Sequence, residues 1–277
     1  MKLVRFQREG REGWAVQDPA SGAWHGATEG ASAHPGSLDA AIRQGRPALD
    51  AAARAMRAQP VVDLAGVDFL PPVAEPRKII CVGLNYRDHS AESGFEQPAY
   101  PTLFSRFNTS VVAHGEPLEH AGLSDTLDFE GELVAVIGTG GSCIRREDAL
   151  SHVLAYSVFN DGSVREYQFK TPQWTMGKNF DRTGAFGPWL VTADEIADPQ
   201  KLDINLWVNG TLKQSFNTDD MAHQIPRCIE WLSSIHTLEP GDIVATGTNH
   251  RGLHSFMDGD KIELTVEKIG TLKFGVK

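Results

Sequence analysis

The segment of greatest chemical interest carries three acidic side chains within five residues, Asp128-Phe129-Glu130-Gly131-Glu132. Side chains two residues apart on a strand point to the same face, so Glu130 and Glu132 are predicted to lie together. Two carboxylates this close repel each other unless one holds a proton or a cation lies between them. Mg²⁺ and Mn²⁺ prefer oxygen ligands of this kind, so the segment indicates a metal site.

A third carboxylate, Asp161, follows the apolar residues Val158-Phe159, at the expected end of a buried strand. Three carboxylates leave coordination positions open for water and substrate, as a catalytic metal requires. The alternative is that Glu130 and Glu132 form the solvent face of a half-buried strand. A histidine-built metal site is disfavoured, because the sequence has neither a His-x-His nor a His-Glu-x-x-His pattern.

His89 and Glu92 form a second candidate pair. The stretch from Cys81 to Glu92 is typical of a strand, a turn and a short helix, and residues three apart share a helical face. A carboxylate beside an imidazole orients the ring and raises its basicity, as proton abstraction from water requires. The simpler alternative is an exposed His-Glu pair on a helix surface.

The elements that would position these residues are mainly strands. Short helices are predicted at roughly 85–93, 146–153 and 221–234. Strands are predicted at 78–82, at 132–137, at 204–208 before the hairpin turn Asn209-Gly210, and at 262–266 with a return strand from Gly270. Because the β-α-β rhythm of a doubly wound sheet is missing, the predicted fold class is α+β and mostly β, with a mixed β-roll or sandwich as the main body.

Residues 1–72 are predicted to form a small N-terminal α/β domain, and residues 73–277 the catalytic domain. Strands are expected at 2–7 and 13–17 and helical segments at 38–42 and 49–56. Pro71-Pro72 marks the boundary, because proline cannot donate to a strand ladder and favours extended backbone before it.

Composition narrows the class of protein. The formal net charge of −10 over 277 residues argues against a nucleic-acid partner. No apolar run approaches the roughly 18 residues of a membrane helix, and the first residues do not form a secretory signal. Cys81, Cys143 and Cys228 are too widely spaced for a disulfide framework or a structural zinc site, so reduced thiols and a cytoplasmic location are expected.

Taken together, the motifs resemble the fumarylacetoacetate hydrolase family. They occur in the family's order over about 200 residues, which makes a chance match improbable although each motif is weak alone. The matching stretches are Gly83-Leu84-Asn85-Tyr86 with His89 and Glu92, Leu103-Phe104, 128–138, Asn160-Asp161 with Arg165, Gly177-Lys178 with Phe180-Asp181, 187–192, 208–210 and 238–248.

The resemblance implies a homodimer with Mg²⁺ or Mn²⁺ on Glu130, Glu132 and Asp161. It further implies that His89 and Glu92 activate water on a lid over the substrate, and that Lys178 lies in the active site. Four more residues are expected to line the substrate pocket: Arg106, Arg165, Gln168 and Thr248. For two of them the alternatives are open, since Arg165 suits a structural ion pair equally well and Thr248 suits a backbone contact in a turn.

The reaction expected from the resemblance is hydrolysis of a C–C bond in an acylpyruvate-type β-diketo acid, in a setting such as aromatic-compound catabolism. The same metal-stabilised enolate also serves an oxaloacetate-type decarboxylase or a 2-oxo-alkenoate hydratase or isomerase, and a catalytically inactive binding module is the remaining alternative. The chain departs from the family at 249–254, Asn-His-Arg-Gly-Leu-His, where many relatives have Pro and a glycine-rich turn. This departure leaves the substrate preference open.

Overall fold

The computed structural model describes residues 1–87, 98–119, 122, 124–249 and 254–277. Within these residues the strands are β1 Lys2–Arg8, β2 Arg11–Gln17, β3 Trp24–Thr28, β4 Asp68–Leu70, β5 Ile79–Gly83, β6 Thr102–Arg106, β7 Val111–Val112, β8 Pro117–Leu118, β9 Leu127–Asp128, β10 Gly131–Ile137, β11 Val153–Asn160, β12 Ser163–Val164, β13 Gly184–Thr192, β14 Asp203–Val208, β15 Thr211–Asn217, β16 Ile243–Ala245, β17 Lys261–Val266 and β18 Gly270–Val276.

The helices are fewer than the strands, which confirms the predicted fold class. The α-helices of the described residues are α1 Leu38–Arg43, α2 Arg46–Arg57, α3 Arg165–Gln168, α4 Thr175–Lys178 and α5 Ile225–Ile235. Single 3₁₀ turns occupy Leu64–Gly66, Asn108–Ser110, Ala149–His152, Ala193–Glu195 and Thr218–Asp220. None of the helices in this part of the chain is long and apolar enough to cross a membrane.

Two predicted helices have different bounds in the structure. The segment 146–153 contains only the 3₁₀ turn Ala149–His152, because Val153 already begins β11. The helix predicted from Met221 begins at Ile225, where Pro226 occupies the first turn without losing a helical hydrogen bond. Of the helix predicted at 85–93, residues 88–93 lie outside the described residues.

Two sheets form the main body. The larger has eleven strands in the order β3-β2-β1-β13-β11-β10-β16-β5-β6, with β4 on β1 and β7 on β13; the smaller has the order β15-β14-β17-β18-β8. The Asn209-Gly210 turn joins β14 to β15, as predicted. Because β1 pairs with β13, the first strands extend the larger sheet, and the predicted domain division at residue 72 stays a prediction.

The central strand β10 is buried along its whole length, as its apolar sequence predicts. Leu133, on one face, belongs to a core that includes Leu206 and Leu264 of the smaller sheet. Val134, on the other face, packs in a core that includes Leu49 of α2. The start of β10 is therefore held between two packed layers, and the candidate metal ligands lie at this start.

Gly162 fixes the chain where β11 ends. A Cβ atom at this position would lie 1.8 Å from the carbonyl oxygen of Thr183, and that backbone oxygen cannot rotate away. We expect Gly162→Ala to lower the free energy of unfolding by at least about 2 kcal/mol, near the upper end for overpacked sites.

Chemical denaturation measures this loss. Gly66→Ala is the matched control, because a Cβ added at Gly66 would meet nothing within 4 Å, and this variant should stay within about 0.5 kcal/mol of the parent. Equal stability of the two variants would contradict the close approach at Gly162.

Candidate active site

The antiparallel pairing of β10 and β11 brings the three predicted metal ligands together. Gly131 lies opposite Asn160, so the residues just outside this pair, Glu130 and Asp161, are neighbours. The Asp161 amide donates to the Glu130 carbonyl at 2.9 Å, and the Glu130 amide donates to Asn160 Oδ1 at 3.1 Å. Carboxylate oxygens of Glu130, Glu132 and Asp161 all lie within 4.8 Å of one another, and all three residues are buried.

Lys178, at the end of α4, lies against two of these carboxylates. Its Nζ donates to Glu130 Oε2 and to Asp161 Oδ2, both at 2.7 Å. Burial would lower the Lys178 pKa, but the negative charges of Asp161 and Glu130 outweigh burial and raise the pKa, so the amine keeps its proton. Lys178 is therefore a buried cation inside the predicted metal cluster.

The position of Lys178 depends on a close contact between α3 and α4. A Cβ atom at Gly177 would lie 2.3 Å from the Gln168 backbone nitrogen, so only glycine allows this approach. The predicted pocket residue Gln168 is buried, and its Oε1 accepts from Arg165 at 3.0 Å.

Arg165 forms a buried ion pair, the structural alternative that the sequence left open. Its Nε donates to Asp128 Oδ2 at 3.0 Å, and its Nη1 donates to Glu130 Oε1. Burial opposes the charge on Arg165, yet the carboxylates of Glu130 and Asp128 raise its pKa. Asp128 was part of the acidic segment without an assigned role, and in the structure it anchors this arginine.

Arg106 forms a buried ion pair with Asp161. Its Nη1 donates to Asp161 Oδ1 at 2.5 Å and to the Gly162 carbonyl at 2.8 Å. The other guanidinium nitrogens bond to Ser110 and Thr183. These contacts position Asp161, and the contact with a substrate carboxylate stays a prediction.

The charge of the Glu132 carboxylate is compensated differently from the charges of the other two predicted ligands. It is 1% exposed and accepts a hydrogen bond of 2.8 Å from the Gly247 amide, and it has no ion pair with any described residue. Burial, followed by the charges of Asp161 and Glu130, raises the Glu132 pKa well above its ordinary value. The carboxylate that lacks a cation lies beside two others, so the donor set fits a hard divalent ion.

Sequence reasoning missed Gln214 of β15. This buried amide accepts from the Gly131 amide at 2.9 Å and donates to Thr248 Oγ1 at 2.9 Å and to the Asn249 carbonyl at 2.8 Å. The one signal in the sequence was its pairing with the buried Leu206 across the hairpin, which places an amide at a core position.

Two predicted site residues and part of the departing segment lie outside the described residues. His89 and Glu92 fall at 88–97, outside the described residues, as do 250–253 of the departing segment. At its end, the His254 ring stacks on Phe129 with 6.0 Å between ring centroids.

Comparison with known proteins finds a matching family model and curated relatives. The family model "Fumarylacetoacetate (FAA) hydrolase C-terminal" matches residues 78–277. The chain is 36% identical to the mitochondrial oxaloacetate tautomerase Fahd2a of Rattus norvegicus over 98% of this chain and 90% of the relative. It is 42% identical to the oxaloacetate tautomerase YisK of Bacillus subtilis over 76% of this chain and 73% of the relative.

A solved structure resembles the whole chain. The maleylpyruvate hydrolase of Sphingobium sp. SYK-6, in complex with manganese(II) and pyruvate, has a TM-score of 0.82 and 30% identity and covers 100% of this chain and 98% of its own. The match over residues 78–277, the resemblance of the whole fold and the buried carboxylates at the start of β10 lead to one conclusion: this chain belongs to the fumarylacetoacetate hydrolase family.

Proposed function

We propose that this protein is a Mg²⁺- or Mn²⁺-dependent enzyme that interconverts the keto and enol forms of oxaloacetate or a closely related 2-oxo acid. The observation that carries the proposal is the group of three buried carboxylates with the Lys178 ammonium against two of them. The names of the two tautomerase relatives support the substrate. The proposal favours the isomerisation alternative of the sequence analysis over C–C bond hydrolysis.

The charges of the cluster suit this substrate. The buried carboxylates of Asp128, Glu130, Glu132 and Asp161 outnumber the buried cations of Arg106, Arg165 and Lys178 by one. A divalent ion held by these carboxylates would reverse the sign of the group, which would then favour an anionic substrate. When bound, the ion supplies Lewis-acid polarisation of the 2-oxo group and makes the neighbouring C–H bond more acidic.

Lys178 is the group of this chain that would stabilise the enolate oxygen. Its Nζ is protonated and buried, so it donates without a change of protonation state. A fixed donor aimed at a developing oxyanion in a dry site is worth roughly 10²–10³ in rate. Arg106 and Arg165 act as positioning residues, because each holds one carboxylate of the cluster from behind.

Enolisation breaks a C–H bond at the carbon next to the keto group and places a proton on the keto oxygen. We assign the proton transfer at carbon to His89, oriented by Glu92, on the basis of their spacing in the sequence. Thr248 is proposed to hydrogen-bond the substrate carboxylate. The homodimer and the cytoplasmic location remain predictions from the sequence.

Hydrolysis of an acylpyruvate is the second candidate. The specific observation in its favour is the similarity to a maleylpyruvate hydrolase whose structure contains pyruvate. Hydrolysis would pass through the same enolate, but it also needs a water molecule to attack the distal carbonyl. His89 would be the base that activates this water. Decarboxylation of oxaloacetate needs no attacking water.

One panel of assays distinguishes tautomerisation, decarboxylation and hydrolysis. The purified chain, with and without Mg²⁺ or Mn²⁺, is given enol-oxaloacetate, and the loss of enol absorbance is followed. Pyruvate is measured from oxaloacetate and from acylpyruvates. We expect metal-dependent loss of enol absorbance with little pyruvate; pyruvate from acylpyruvates as the main activity would instead establish the hydrolase.

Glu132→Gln tests the metal site. We expect it to weaken Mn²⁺ binding by at least about 100-fold, because it removes a charged ligand. Glu263→Gln is the matched control, since Glu263 is an exposed carboxylate paired with Lys273 on the smaller sheet. Thermal unfolding with and without Mn²⁺, together with activity after EDTA treatment and metal restoration, measures the effect; full activity in the chelated enzyme would remove the metal from the mechanism.

The same variant should also change how the free energy of unfolding depends on pH. Folding raises the Glu132 pKa, so the metal-free folded chain binds this proton more tightly than the unfolded chain does. The free energy of unfolding without metal should therefore fall as pH rises above 4.5, the ordinary value, and Glu132→Gln should flatten this fall. Metal affinity should rise with pH, because the ion displaces the proton.

His89→Ala tests the assigned proton transfer. We expect kcat to fall by roughly 10²–10⁴, the usual contribution of a positioned acid or base, while Mn²⁺ affinity stays at the level of the parent. Steady-state kinetics and Mn²⁺ titration measure the two quantities. An unchanged kcat would assign the proton transfer to another group.

A further inference from the structure

Gln214 connects the metal-binding strand to the turn that carries Thr248. We propose that Gln214 is a positioning residue: it forces the Thr248 hydroxyl to donate its proton to the carboxylate of the bound substrate. This inference rests on the proposed function, because it concerns how a 2-oxo acid is held beside the metal.

The hydrogen bonds fix the orientation of the Gln214 amide. The Gly131 N–H can only donate, so the atom that faces it at 2.9 Å must be the carbonyl oxygen of the side chain. The NH₂ group must then face the turn, where it donates to Thr248 Oγ1 at 2.9 Å and to the Asn249 carbonyl at 2.8 Å. Gln214 is 4% exposed, and both hydrogens of its NH₂ group are used.

This orientation determines the role of the Thr248 hydroxyl. A hydroxyl has one proton to donate, and the NH₂ group beside it can accept none. Thr248 Oγ1 therefore accepts from Gln214 and must direct its own proton elsewhere. Across the described ranges, the bond from Gln214 is the only hydrogen bond of this hydroxyl.

The residue before Thr248 contacts the metal cluster. The Gly247 amide donates to Glu132 at 2.8 Å, so Thr248 follows directly after a residue that contacts a metal ligand. Gly131, at the other end of the Gln214 amide, lies between Glu130 and Glu132. One buried side chain from the smaller sheet thus fixes both the metal-binding segment and a donor for the anion next to it.

A double-mutant cycle tests the inference, with the dissociation constant of pyruvate in the presence of saturating Mn²⁺ as the measured quantity. Gln214→Glu keeps the oxygen that accepts from Gly131, but at pH 8 its second oxygen accepts the Thr248 proton. Thr248→Val removes that proton altogether. Each variant should weaken pyruvate binding by roughly 10- to 100-fold, the range for a hydrogen bond to a charged group.

The double variant should bind pyruvate no more weakly than the weaker single variant, because both remove the same donor. The inference would be overturned if the two single losses of pyruvate affinity multiplied in the double variant. It would also be overturned if the pyruvate dissociation constant of Gln214→Glu lay within twofold of the parent value. Gln214→Met guards against a folding defect or retained protonation in the glutamate variant: with no acceptor to capture the Thr248 proton, it should bind pyruvate with intermediate strength. Weaker pyruvate binding by the Gln214→Met variant than by the Gln214→Glu variant would also overturn the inference.

Gln200→Glu is the matched control. Gln200 is also buried, accepts from the Ile225 amide at 2.9 Å and donates to the Thr218 carbonyl at 3.2 Å, but belongs to no part of the site. Its substitution should leave the pyruvate dissociation constant unchanged, and an equal loss would assign the effect to general destabilisation. Failure of the parent protein to bind pyruvate with Mn²⁺ would count against the proposed function itself.

Discussion

The repulsion among buried carboxylates at the start of β10 is the constraint on which the site depends. Removing several anions from water together costs too much free energy unless cations or protons compensate them. Arg165 and Arg106 each neutralise one carboxylate from behind, and Lys178 lies against the same two from a third direction. Glu132 has only a backbone amide, so this carboxylate still needs a proton or a metal ion, at the point where the donor set suits a metal ion.

The scaffold around this cluster explains why it stays in place. Glu130 and Asp161 flank a strand pair with buried apolar residues on both faces, and a one-residue slip would move every side chain of the slipped strand to the opposite face and disrupt both packed layers. Gly131 also leaves room for the smaller sheet, since a Cβ at this position would lie 2.6 Å from Leu264 Cδ1 and would make that side chain move. The site is thus built on the packed contact between the two sheets.

Much of this arrangement was predictable from the sequence. Alternation along a strand placed Glu130 with Glu132, the apolar run before Asp161 identified a strand end, and Asn209-Gly210 identified a hairpin. The roles of the cations were harder to predict, because charge alone does not distinguish an arginine that supports a carboxylate from one that faces a substrate. Arg106 and Gln214 meet the cluster through contacts 55 and 83 residues away in sequence, and no local pattern encodes such contacts.

Lys178 also bears on the order in which the protein matures. In small zinc proteins the ligands repel or remain disordered until the metal arrives, so folding waits for the ion. Here an internal ammonium already holds Glu130 and Asp161 at 2.7 Å. We therefore expect the polypeptide to reach its native shape before it acquires its ion, and to exchange one ion for another without unfolding.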